Sequence, residues 1–171
     1  MKLEHFQEEV DGRVRWNHGR IYVEHSSIRD ARAVGRNLRE ADLDELSAVT
    51  REPPVDVLIN GIRQSTPCYT VKTRDGKPCG IFGTRDSGYP ESGVVWMLGT
   101  DDLTANRITF LRHSRLWIDE LHKKYRLLYN VIDARNEVHL HWLDWMGFET
   151  IKEIKQYGVE RRKFLLFSRY V

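Results

Sequence analysis

Apolar and polar positions along the chain repeat with a period of two in some segments and about 3.6 in others, and the changes of period mark its elements. IYVEH (21–25) predicts a short strand. Ser27 followed by Asp30 predicts a capping box, with Asp where Glu or Gln is usual, for a helix through ARAVGRNL. READLDELSAV reads as a second helix with Leu43, Leu46 and Val49 on one stripe, broken by Pro53-Pro54. VDVLINGIRQS restarts a short helix that stops before Pro67. Three strand signals follow: CYTVKT, its return strand CGIFGT, and VVWMLGT after the Gly-rich loop SGYPESG. Val94 to Leu98 is apolar without alternation, as expected of a central strand covered on both faces. NRITFLRHSRLWIDELHKKY is the longest helix, with Ile108, Leu111, Leu116, Ile118 and Leu121 supplying its apolar surface. A strand, RLLYNVID, a helix, NEVHLHWLDWMGF, and two strands joined near Gly158, FETIKEIKQ and KFLLFSRYV, complete the order.

Strands joined through a helix are expected to lie parallel and adjacent, and strands joined by short turns to pair antiparallel. The expected fold class is α/β (α+β): a mixed, mostly antiparallel sheet of six to seven strands with helices on both faces. Residues 20–171 read as one domain. Residues 1–19 are polar, with a turn signal at Asp11-Gly12, and read as an N-terminal arm or hairpin, ordered or loose.

A chain of 171 residues buries enough surface to fold without a metal or disulfide staple. Its formal charge of +2 is too small to point to nucleic acid or an anionic membrane. The locally basic tail, with Lys152, Lys155, Arg161, Arg162, Lys163 and Arg169 against Glu153 and Glu160, reads as a solvated hairpin face. No apolar run approaches the ~18 residues of a membrane span, and MKLEHFQEEV lacks the apolar core of a signal peptide, so a cytoplasmic protein is expected. Cys68 and Cys79 flank a hairpin turning at Asp75-Gly76, read as its two positive-φ positions. In that register they stand roughly 13 Å apart, beyond the ~7 Å reach of a disulfide, and two free thiols are expected.

The stretch NEVHLHWLDWMGF invites a metal or cofactor reading, and its spacing argues against both. His139 and His141 lie about 200° apart around a helix and cannot share a ligand face. Val138, Trp142, Trp145 and Met146 follow the i, i+4, i+7, i+8 stripe of a helix lying on a core, so both tryptophans read as packing groups. Asn136 suits the N-cap, its side-chain oxygen accepting from a first-turn N–H, and Gly147 the C′ position.

Asn136, the Gly147-Phe148 pair that follows, and the preceding strand together resemble the last motif of the GNAT fold of N-acetyltransferases. The element order from IYVEH to KFLLFSRYV matches that topology. READLDEL, WMLGTD, FLRHSRLWIDEL and NVIDARNEVHLHWLDWMGF also resemble an internal-virion-protein-A-like family of T-seven-like podophages, over about residues 21–168. Active GNAT enzymes carry, after the fourth strand, Arg or Gln, two residues, Gly, one residue, then Gly or Ala, whose N–H groups cradle the pyrophosphate of acetyl-CoA. This chain has GTDDLTANRITF there, with Gly99 as its only glycine, Asp101-Asp102 ahead of the helix, and Arg107 and Arg112 as the following cations. The position of the family's Tyr general acid, seven after the Asn, is Leu143, which has no proton to give.

The candidate site is a polar cluster of Asn130, Asp133, Arg135, Asn136 and His139 with Trp96, Thr100 and Asp101, where open α/β sheets bind ligands. As structural groups, Asn136 caps, Asp133 and Arg135 pair, and His139 packs beneath the sheet edge. As functional groups, the resemblance implies Leu98, Gly99, Thr100, Arg107 and Asn136 against the cofactor and His139 or a carboxylate such as Asp133 as base, with acetyl-CoA bound if the protein is active and no metal. Three functions stay open. One is a phage GNAT-like protein with a degenerate acetyl-CoA site, serving virion morphogenesis among other phage virion or assembly proteins, in the host cytoplasm or the virion. The second is an acetyl-CoA-dependent N-acetyltransferase of an unknown amine. The third is an anti-defence or host-takeover protein that binds a host protein.

Overall fold

The computed structural model describes residues 1–171 and contains one sheet of nine strands. In chain order these are β1 (Gln7–Val10), β2 (Arg13–Asn17), β3 (Ile21–His25), β4 (Ser65–Thr73), β5 (Pro78–Asp86), β6 (Ser92–Gly99), β7 (Leu127–Asp133), β8 (Glu149–Tyr157) and β9 (Arg162–Tyr170). Their order in the sheet is β1-β2-β3-β4-β5-β6-β7-β9-β8, and every pair is antiparallel except β6–β7. The sheet has two more strands than the upper expectation because the hairpin β1–β2, turned by Asp11 (φ 52) and Gly12 (φ 73), pairs with the edge of β3. Strand β8 is not the neighbour of β7 that the intervening helix led us to expect: β9 returns between them and pairs with both.

Alternate residues of the central strands face opposite layers. Cys68, Ile81 and Leu98 pack with Ala31, Val34 and Leu58 of α1 (Ile28–Gly35) and α3 (Pro54–Gln64). Tyr69, Phe82 and Val95 pack with Leu103, Phe110, Trp117 and Trp142 of α4 (Asp101–Ala105), α5 (Arg107–His122) and α6 (Glu137–Trp145). Helix α2 (Glu40–Val49) joins the first layer through Leu46. The capping box at the head of α1 is formed, Ser27 Oγ accepting from the Asp30 N–H and Asp30 Oδ2 from the Ser27 N–H. Trp117 is the hub of the second layer, with Trp16 edge-on at 5.3 Å and Tyr69 tilted at 4.7 Å. Burying such an aromatic contributes roughly 2–3 kcal/mol.

Three helices are rotated from the stripes expected of them. Helix α5 buries Phe110, Ser114, Trp117, Ile118 and Leu121, while Ile108 points to solvent at 67 % exposure. Helix α2 buries Asp42 and Ala48 and turns Leu43 outward. Helix α6 buries His139 and Trp142, with Met146 buried just past its end, leaving Val138 and Trp145 exposed. Trp145 is therefore not a core group: the Arg115 guanidinium lies 5.2 Å above its ring, and its Nε1–H donates to the Leu111 carbonyl. For α2 and α6 the cause is a shared polar cluster described below, which draws one polar side of each helix inward.

In the β4–β5 hairpin Gly76 alone has positive φ (90°), and a loop closed by the Thr73 N–H on the Lys77 carbonyl replaces the expected two-residue turn. The register shifts after Val71, so that Pro78 faces Lys72. Both cysteines are free and buried, and burial pushes their thiols up to about 11 at Cys68 and about 12 at Cys79. No helix is long and apolar enough to cross a membrane.

Candidate functional site

Strands β6 and β7 stay paired only over Ser92–Val94 and Leu127–Tyr129, then separate. Asn130 stands at the fork: its Nδ2 donates to the Val95 carbonyl at 2.8 Å, and its Oδ1 accepts from the Val131 N–H. A side-chain amide thus replaces the first missing rung of the ladder. Beyond it the strands' facing edges border a cavity of about 530 Å³, lined mostly by apolar groups that include Trp96, Met97, Phe110, Trp117 and Leu143. Trp96 is held by its Nε1–H on Ser65 Oγ, and α3 lies close over it because residue 61 is glycine: a Cβ there would come within 3.0 Å of the indole.

The far end of the split is filled by a buried polar cluster from α2 and the β7–α6 turn. Arg39 Nη2 donates to Asn136 Oδ1 at 2.6 Å and pairs with Asp42 at 3.0 Å. Asn136 Nδ2 donates to Glu45 Oε2 at 2.8 Å and to Asp42 Oδ1 at 3.3 Å. His139 Nδ1 lies 3.6 Å from Asp42, its ring rests on Trp142, and its Nε2 has no protein partner. Burial in this apolar wall pushes the Glu45 carboxyl up to about 8; the Asn136 hydrogen bond opposes the rise and the charge of Asp42 adds to it. Burial also drives His139 down to about 4, so its ring is neutral at pH 7.

Asn136 is therefore not the expected N-cap: its side chain makes no cap hydrogen bond and its amide is spent on Arg39, Asp42 and Glu45. Asp133 and Arg135 do pair, at 2.7 Å. Burial alone would raise the Asp133 carboxyl, but the guanidinium and backbone hydrogen bonds of Arg135 hold it below its ordinary value. Asp133 is not on the cavity wall, whereas His139 and Asn130 are. Asp101 and Arg107 lie exposed outside the cavity, and Arg107 folds back to donate to the Thr104 carbonyl at 3.3 Å. Trp96 and Leu98 line the cavity, while Thr100 is buried outside its lining, bridged to Leu38. His139 and His141 point to opposite sides, one buried and one exposed.

The GNAT cofactor, acetyl-CoA, can be tested against these groups. The apolar split suits the thioester end of such a molecule. The pyrophosphate end does not fit. Gly99 has both backbone groups engaged, its N–H donating to Asp42 Oδ2 at 2.8 Å and its carbonyl accepting from the Arg39 N–H at 3.0 Å. Its lack of a side chain serves packing, because a Cβ would come within 2.7 Å of Leu103. The next residues form the short helix α4, headed by Asp101 and Asp102, and two carboxylates offset the positive end a phosphate would use.

Sequence reasoning did not find Arg39, Asp42 or Glu45. Their i, i+3, i+6 spacing puts them near one side of α2, which was a usable signal, but the leucine stripe on the other side masked it.

No protein-family model matches the chain, and no curated protein matches it. Solved structures do. A probable GNAT acetyltransferase from Chromobacterium violaceum superposes with a TM-score of 0.69 at 16 % identity, over 96 % of this chain and 94 % of that one. The ribosomal-protein-S5-alanine acetyltransferase of Vibrio fischeri gives 0.68 at 18 % identity, over 92 % and 96 %. A GNAT-family acetyltransferase from Bacillus anthracis gives 0.68 at 10 % identity, over 89 % and 95 %. A phage source and the internal-virion-protein-A-like resemblance find no counterpart among these structures. Sheet, split and helix layers together give this chain the fold of the GNAT acetyltransferases.

Proposed function

We propose that the chain is a GNAT-fold N-acyltransferase that works on an amine in the split between β6 and β7, with Glu45 as general base. The observation that carries this reading is Glu45 itself, a carboxyl on the wall of an apolar cavity, raised to about 8. An alkylammonium near 10.4 gives its proton to an ordinary carboxylate about a million-fold uphill, and to one near 8 only a few hundred-fold uphill. Asn136 Nδ2 fixes the carboxylate, and the apolar walls keep water from competing for the acyl group. A bound acyl thioester would supply the activated carbonyl. His139, low at about 4, is a far weaker base for an ammonium.

The test is thiol release from acetyl-CoA across a panel of amines, beside a thermal-shift titration. A ligand at 100 times its Kd stabilises by about 2.7 kcal/mol. Release above the uncatalysed rate, lost in Glu45→Gln, is expected; no release and no shift at millimolar acetyl-CoA overturns the reading.

One observation favours a second reading, in which the fold binds but transfers nothing: the engagement of both Gly99 backbone groups by Arg39 and Asp42. Its partner would then be a protein, in virion assembly or host takeover. Normal internal composition of particles made without the protein would count against the assembly role.

A further inference from the structure

The cavity has a direction. The exposed residues on its lining are Glu52, Asn60, Gln64 and Arg85, all at the α2–α3 side and the end of β5. Along α5 and α6 the lining residues are buried or half-buried, and Phe110 and Trp142 meet there at 5.5 Å between ring centroids. The mouth therefore lies between α2, α3 and β5, and Glu45, half-buried and hydrogen-bonded to Asn136, stands on the lining one turn of α2 before Val49. Val49, also on the lining, is one turn of α2 nearer the mouth, about 6 Å along the helix axis. Trp96 and Val57 share the lining with Val49, so a molecule that enters there and reaches Glu45 would lie against these apolar groups.

Charge around Glu45 is unbalanced. Arg39 is paired with Asp42 and Arg135 with Asp133, so two guanidiniums meet three carboxylates and Glu45 has no cation of its own. Its one side-chain hydrogen bond, from Asn136, leaves further lone pairs free to accept. A neutral ligand would leave Glu45 protonated, whereas a cation would make the cluster neutral with Glu45 ionised.

We propose that this cavity takes a hydrophobic primary amine, its ammonium at Glu45 and an apolar body longer than about 6 Å lying toward the α2–α3 mouth. This names the acceptor class of the acyltransferase reading and rests on that reading for its role, though not for its binding. Small hydrophilic amines and polyamines would leave the apolar walls unsatisfied or bury charge along them.

The experiment is a titration of the full chain with n-octylamine, octan-1-ol and ethylamine, read by tryptophan fluorescence, since Trp96, Trp117 and Trp142 line the cavity. Octylamine is expected to bind at least tenfold tighter than either control. Glu45→Gln should erase the preference for octylamine over octanol while leaving octanol binding in place. Val57→Trp, which narrows the mouth without touching the polar cluster, should weaken octylamine at least tenfold and keep Glu45 intact. Equal affinity for amine and alcohol, or octylamine binding unchanged in both variants, overturns the proposal. Octylamine binding without any acetyl transfer would keep the site and sink the acyltransferase reading; transfer to ethylamine with no octylamine binding would do the reverse.

Discussion

Asp42 accepts the amide hydrogen of Gly99 at 2.8 Å, tying α2 to the end of β6 across 57 residues of chain. The same carboxylate holds Arg39 at 3.0 Å and takes a hydrogen from Asn136, all of them buried. Asp42→Ala leaves the Arg39 charge short of its partner and the Gly99 N–H unpaired. A loss of about 3–5 kcal/mol is expected from breaking a buried pair on one side. Urea unfolding followed by circular dichroism would measure it; a change under 1 kcal/mol would mean that the cluster contributes no net stability.

Stability should peak near pH 6.5. Glu45 is raised from 4.5 to about 8 on folding, so its contribution is full below 4.5 and is lost as pH climbs toward 8. His18 and His139 are lowered from 6.5 to about 4, so theirs is full above 6.5 and is lost as pH falls toward 4. Each group imposes a slope of at most about 1.4 kcal/mol per pH unit. On the acid side two histidines outweigh one carboxyl. Melting temperatures from pH 4.5 to 9 would show the peak, and Glu45→Gln should flatten the alkaline limb and steepen the acid one.

Residues 1–17 should prove part of the fold's stability. Trp117 Nε1–H donates to His18 Nε2 at 3.1 Å, His18 stacks on His113 at 4.2 Å, and Trp16 packs edge-on to Trp117. Removing the hairpin uncovers these groups and the paired edge of β3, whose Ile21 and Val23 are buried. Losing the burial of Leu3 and Trp16 alone costs roughly 4 kcal/mol, and a melting temperature lower by about 10 °C is expected. An unchanged melting temperature would show the hairpin to be a passive appendage.

Leu143 is half-buried on the cavity wall, where a tyrosine would present a hydroxyl to the split. If the chain transfers acyl groups, Leu143→Tyr supplies a proton donor, and kcat should rise about a hundredfold, at the low end of what general acids contribute. A drop in kcat with unaltered melting temperature would mean that Leu143 shapes the substrate space instead.

What could be read in the sequence was local. The Ser27–Asp30 box, the antiparallel meander of β4, β5 and β6, the long helix and the strand–Asn136–helix–Gly147 motif all announce themselves within a few residues, and they sufficed for the fold class. The site did not. Glu45 is notable only because Asn136, 91 residues later, folds back onto it, and the i, i+3, i+6 spacing of Arg39, Asp42 and Glu45 in READLDELSAV does not by itself say what that polar side faces. The stripes misjudged in α2 and α6 share that origin, since apolar periodicity finds the greasy side of a helix and is blind to a polar side that is satisfied across the sheet. Ile108 failed for a simpler reason: it is the second residue of α5, which begins at Arg107, and it lies exposed ahead of the first buried apolar group of the helix, Phe110.

The insertion of β9 between β7 and β8 sets a timetable for folding. Strand β7 pairs through Leu127↔Tyr170 to Asp133↔Phe164, while toward β6 it makes only a short parallel contact before the split. On a ribosome, β1 to β6 can form their meander as they emerge, but β7 must wait for residues 164–170 before it gains its main partner. The wall that carries Asn130 is thus among the last parts of the sheet to be secured, and such late, long-range pairing is the slow step expected of this topology. A stalled nascent chain ending before residue 162 should protect β3 to β6 from protease and leave β7 open to cleavage.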